Sequence, residues 1–124
     1  MEKTRTTGFF AANDRRRAPR VNLAAPCPCF FRIRGKRHPA FMVDVSAIGA
    51  GFRNYELATT LALSTGQDAR FEVITPFGRA DYSGSVAWAN ALDAGLGWGI
   101  RLTAPLVQGQ GPLGSLLAAA MQAG

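Results

Sequence analysis

Two short patterns carry the residue types that could do chemistry. The first is Arg16-Arg17-Ala18-Pro19-Arg20, an Arg-x-x-x-Arg spacing, with Arg15 just before it. The second is Asp44-Val45-Ser46-Ala47-Ile48-Gly49, an Asp-x-Ser-x-x-Gly. A guanidinium pairs bidentately with phosphate and stacks on a flat base. A carboxylate accepts two hydrogen bonds side by side. Guanine presents two adjacent donors on one edge, its ring N–H and its exocyclic amine, and the other bases do not. Arginines plus one placed Asp therefore suit a guanine nucleotide. Ser46 can add a hydroxyl contact, and Gly49 can supply a positive φ or let the backbone approach a ligand closely. Each pattern also has a plain structural reading. The arginines can be a solvated basic tail, and Asp44 and Ser46 can close an Asx- or ST-turn between strands.

Other chemistry finds little support. Cys27 and Cys29 share one face of a strand, where a disulfide is geometrically awkward, and two thiols without a second pair make no zinc site. They read as small, partly buried side chains. The single histidine, His38, falls in Arg-Gly-Lys-Arg-His-Pro, which reads as a hairpin turn, a poor place for a water-excluded triad. No P-loop or dinucleotide-binding glycine fingerprint is present. Gly95-Leu96-Gly97-Trp98-Gly99 runs into a strand rather than a helix. The chain is expected not to be an enzyme, and to need no cofactor or metal.

The elements that must position these residues follow from composition and pattern. The 124 residues suit one domain, and 48% hydrophobic content with 18% charged excludes a wholly disordered chain. No apolar run reaches the ~18 residues of a membrane span, no signal peptide is seen, and a cytoplasmic location is expected. The net charge of +6 is local. Residues 1–37 hold ten basic and two acidic groups, and residues 38–124 hold four basic and six acidic. An anionic partner is implied near the N-terminus.

Strands are expected at 21–34, where two prolines impose an edge or a bulge, and at 41–45, 50–53, 69–74, 82–89 and 95–102. Residues 35–37 and 75–78 turn, and 55–66 fit either a short helix or a loop. Leu113, Leu116, Leu117, Ala120 and Met121 share one face of a C-terminal helix that should pack on the body, with a second subunit as the alternative. Short strands at this spacing suggest a closed antiparallel barrel or a sandwich. Trp88 and Trp98 are expected in the core, and Phe30, Phe31, Phe41, Phe52 and Phe71 fill the barrel or its rim.

Four segments in order resemble the PilZ domain family, the bacterial receptor module for cyclic diguanylate. Residues 14–21 resemble its opening, and residues 44–52 its second motif. Gly84-Ser85-Val86-Ala87-Trp88 resembles its Gly-x-Val-x-Trp strand, and residues 97–102 its closing strand. The resemblance implies a mostly β fold, a six-stranded antiparallel barrel with a short C-terminal α-helix. It divides the chain into a tail at 1–14, a barrel at 15–105 with a ligand-binding segment at 15–20, and a linker and helix at 106–124. It implies that Arg16 and Arg20 hold phosphates and stack on guanine, that Asp44 and Ser46 read a guanine edge, and that Gly49 keeps the turn close. Arg15 and Arg17 would add phosphate contacts.

The expected function is a cyclic diguanylate receptor that orders its arginine segment on the ligand and signals in trans to a protein partner, as a monomer or weak dimer. The alternatives are a PilZ-fold interaction module that does not bind the nucleotide, and a small basic RNA- or DNA-binding barrel. A nucleic-acid polymer is the less favoured ligand.

Overall fold

The computed structural model describes residues 19–33, 35–54, 63–92 and 95–123. Six strands form a closed barrel: β1 (Val21–Ile33), β2 (Lys36–Val45), β3 (Gly49–Asn54), β4 (Asp68–Thr75), β5 (Gly78–Leu92) and β6 (Gly95–Leu102). The order around the barrel is β1-β2-β3-β6-β5-β4, every pairing is antiparallel, and β4 closes on β1. One helix, α1 (Gly111–Ala123), packs against β1, β4 and β5.

Alternation writes the core directly. In β4, Ala69, Phe71, Val73 and Thr75 are buried while Asp68 and Arg70 are exposed. In β1, Cys27, Cys29, Phe31 and Ile33 point inward. Phe31 faces Phe71 across β1–β4, and Phe52 faces Trp98 across β3–β6. The four rings meet in one cluster, with Phe31 stacked on Phe71 at 5.2 Å and edge-on to Phe52 at 4.6 Å. Such contacts add to area burial, the dominant stabilising term. Leu113, Leu116 and Leu117 of α1 complete the core, and Tyr82 accepts a hydrogen bond at its hydroxyl from the Leu113 N–H at 3.0 Å.

The prolines sit where a ladder partner is missing. Residues 23–26 bulge out of the β1–β2 pairing, and β4 pairs with β1 only from Cys29 onward. Pro28 therefore needs a neighbour on one side only, and Pro39 of β2 precedes the point where β3 begins to pair.

Several expectations are corrected. His38 lies within β2, opposite Phe31, because the hairpin turn is tighter than Gly35-Lys36-Arg37 suggested. Met121 is 40% exposed and does not join the packed face of α1, while Phe41, 42% exposed, lies outside the barrel filling, which leaves it the rim. Residues 55–62 of the ambiguous segment lie outside the described residues.

Candidate functional site

The first turn of the site is built by Ser46. Its hydroxyl accepts hydrogen bonds from the Ile48 N–H at 3.3 Å and the Gly49 N–H at 3.1 Å, and donates to the Gly49 carbonyl at 3.4 Å. The Ser46 N–H also donates to that carbonyl, at 2.8 Å. A hydroxyl offers one donor and two acceptor sites, and the turn uses all three. Ser46, 3% exposed, is thus first a turn-maker. Gly49 is not at positive φ. It is required because a Cβ there would lie 2.6 Å from the Ile100 carbonyl oxygen: the close approach is to β6.

Asp44 is placed by a β-bulge. The β2–β3 register shifts between Met42 and Asp44, with Val43 the extra residue. Alternation is broken there, so Met42 and Val45 both enter the core and Asp44 turns to the outer face. Opposite it stands Gly51, and the carboxylate lies over this glycine. A Cβ at 51 would sit 2.7 Å from both Asp44 oxygens.

Arg20 precedes β1, two residues before Asn22, the Cα partner of Asp44. That offset keeps Arg20 on the same face. Its Nη2 donates to Asp44 Oδ2 at 2.8 Å and its Nε to Oδ1 at 3.4 Å. The Arg20 side chain is 54% exposed and that of Asp44 only 11%. The pair joins residues 24 apart in the chain, and with Ser46 and Gly49 they occupy one end of the barrel. Arg15, Arg16 and Arg17 lie outside the described residues.

A second bulge repeats the device on the far side. The β5–β6 register shifts between Val86 and Trp88, with Ala87 extra, so Val86 enters the core and Trp88 turns outward. Trp88 faces Gly99, and a Cβ at 99 would lie under its indole, 2.7 Å from Cε2. Trp98 fulfils the core expectation; half-buried Trp88 does not. Gly99 in turn is the Cα partner of Gly51. The result is one row across the outer face: Asn22, Asp44, Gly51, Gly99, Trp88. Exposed Arg53 and Arg101 flank it along β3 and β6. Gly51 and Gly99 are buried seats, one under the Asp44 carboxylate and one under the Trp88 indole, so the outer face presents a carboxylate, an indole and two flanking cations, groups suited to a polar, anionic ligand with a flat base.

Sequence reasoning missed Gly51, Gly99, Trp88, Arg53 and Arg101. A signal existed. Glycines at 49 and 51, and at 95, 97 and 99, recur at the two-residue strand period and strip one face of side chains.

The PilZ domain family model matches residues 14–119. No curated protein matches the chain with significance. Among solved structures, the chain is similar to the Bacillus subtilis inhibitor of motility (MotI/DgrA), at 14% identity and a TM-score of 0.66, over 85% of this chain and 50% of that one. It spans half the length of that relative. It is also similar to the PilZ domain with c-di-GMP of YcgR from Escherichia coli, at 18% identity and a TM-score of 0.68, over 88% of this chain and 93% of that one. At these identities the likeness speaks for the fold. No described helix is long and apolar enough to cross a membrane.

Proposed function

The chain belongs to the PilZ domain family, and from that premise we propose that it is a cyclic diguanylate receptor that signals in trans to a protein partner. The observation that carries the reading is the Arg20–Asp44 pair at 2.8 Å, with the carboxylate seated over Gly51. It unites the two patterns that the chemistry of a guanine nucleotide requires.

In this reading Asp44 accepts from the guanine ring N–H and exocyclic amine. Arg20 and Arg16 hold phosphates and stack on a guanine, and Arg15 and Arg17 add phosphate contacts. Ser46 contributes chiefly by holding the turn, because a ligand contact would cost its hydroxyl one of its bonds to the backbone. Trp88, lying over Gly99, offers an aromatic surface in the same row as Asp44, and Arg53 and Arg101 extend the positive rim. Without ligand, Arg20 satisfies Asp44. Binding exchanges that partly exposed ion pair, worth about 0–1 kcal/mol, for charge-assisted bonds to the ligand. Arg20 thereby swings from carboxylate to phosphate and carries the arginine segment with it. The rearranged segment, the ligand and the barrel make a new surface for a partner.

The test is calorimetric titration with cyclic diguanylate, with GTP as control. Saturable binding of the cyclic dinucleotide alone is expected, weakening as salt rises. Arg20→Ala abolishes it, and Asp44→Ala costs about 1.5–3 kcal/mol, the scale of a hydrogen bond to a charged group. Absence of heat and of any melting shift would remove the receptor reading.

A further inference from the structure

A second charged surface lies on the outer face of β1, β2 and β4, at the other end of β2 from Asp44. Arg32 of β1 stands directly opposite both Arg37 of β2 and Arg70 of β4. All three are exposed. Like charges directly opposite one another destabilise a sheet. Arg37 escapes: its guanidinium lies 4.2 Å from the centroid of the Phe30 ring and 3.6 Å from Glu72. Glu72 is also held by Arg79, at 3.2 Å. Arg32 and Arg70 make no ion pair among the described residues. Both line a depression of about 230 Å³, together with Phe71, Glu72 and Asp81. Beside the arginine row lies an apolar block, in which Pro28 faces Phe41 and Phe30 faces Pro39. Pro28, Pro39 and Phe41 are exposed.

We propose that this face docks a helix of a partner protein that carries two carboxylates one turn apart beside apolar side chains. Side chains at i and i+4 of a helix stand about 5–6 Å apart, close to the ~4.8 Å spacing of neighbouring strands. Such a pair meets Arg32 and Arg70 together and cancels the repulsion that the free barrel tolerates. Arginines next to exposed aromatic residues are also what the buried centre of a protein interface favours. A nucleic-acid backbone fits less well. Glu72 and Asp81 face each other in the same depression and oppose any anion there, but two carboxylates confined to the Arg32–Arg70 row meet them less than a continuous run of phosphates would. The purpose assigned to this face, signalling to a partner, rests on the receptor reading; its chemistry does not.

The probe is a fluorescein-labelled helical peptide with two glutamates four residues apart beside two leucines, and its counterpart with glutamines. Anisotropy is measured on the full chain at physiological salt, with and without cyclic diguanylate. The parent is expected to bind the Glu peptide at least ~10-fold tighter than the Gln peptide, the scale of a charge-assisted pair. Arg32→Glu and Arg70→Gln each abolish the preference and leave cyclic diguanylate binding unchanged. Arg32→Glu also raises the Tm by ~1–3 °C, because the repulsion facing Arg70 becomes an attraction. That rise shows that lost docking is not lost folding. No preference in the parent, or a preference that survives both variants, overturns the proposal. A single-stranded oligonucleotide that binds more tightly than the Glu peptide, and is lost in the same variants, assigns the face to a polyanion and overturns it too. A parent that keeps the Glu preference but gives neither heat nor a melting shift with cyclic diguanylate supports the docking face and removes only the receptor reading.

Discussion

Gly51→Ala tests the site at a residue that touches no ligand in the proposed arrangement. The new Cβ would stand 2.7 Å from both Asp44 carboxylate oxygens and 2.9 Å from Cγ. Ordinary contact requires the carboxylate to retreat by roughly half an ångström or more. The backbone has no reason to object, since Gly51 is not at positive φ. Alanine in a strand gains about 0.5–1 kcal/mol over glycine. Loss of the Arg20–Asp44 pair, whose arginine is 54% exposed, removes about 0–1 kcal/mol. The two nearly cancel, so thermal unfolding should change little. Binding should not escape. A carboxylate lifted off its seat loses the guanine edge, about 1.5–3 kcal/mol, or about 10- to 150-fold in Kd. Calorimetric titration measures this. The Asp44→Ala/Gly51→Ala double variant should bind no more weakly than Asp44→Ala, because with the carboxylate gone the new methyl meets nothing. Parental affinity in Gly51→Ala, or full additivity in the double variant, would refute the reasoning.

Ser46→Ala leaves the Ile48 and Gly49 N–H groups without their hydroxyl acceptor, so urea unfolding should show a loss of about 1–3 kcal/mol. Tyr82→Phe removes the acceptor for the Leu113 N–H in the first turn of α1, and should cost about 0.5–2 kcal/mol in the same assay. Burial pushes the thiols of Cys27 and Cys29 up, and the neighbouring Cys27 raises Cys29 further. Iodoacetamide at pH 8 should therefore label the native chain at least ~10-fold more slowly than the unfolded one, and equal rates would contradict their burial.

Much of this was legible in the chain. The strands around Phe31, Phe71 and Trp98 alternate plainly, because a barrel buries one face of each strand and the pleat has a period of two. The C-terminal helix was legible from the spacing of Leu113, Leu116 and Leu117. That Arg20 and Asp44 lie at one site could be expected from chemistry, since each suits a different part of one ligand; their direct ion pair was not read from the sequence. The facing of Asp44 and Trp88 could not be read. Strict alternation would put Asp44 on the same face as Met42, in the core, and Trp88 beside Val86. A bulge at Val43 and another at Ala87 reverse both, and a bulge is a property of register between strands. Pro39 likewise looked like a turn residue until the limits of β3 pairing gave it an unpaired side.

Sequence alone therefore determined which residues are available: the arginine run, one carboxylate at the end of an apolar strand, and glycines at strand period. Those depend on side-chain chemistry and local spacing, which are written in order along the chain. Tertiary structure decided what faces what. Pairing β2 with β3, β3 with β6 and β6 with β5 aligned Asp44, Gly51, Gly99 and Trp88, four residues from four strands, in one row. Closing β4 onto β1 set Arg70 against Arg32, which the local β1–β2 hairpin already places opposite Arg37. Registers across a barrel are fixed by all six strands at once, and no window of the sequence contains them.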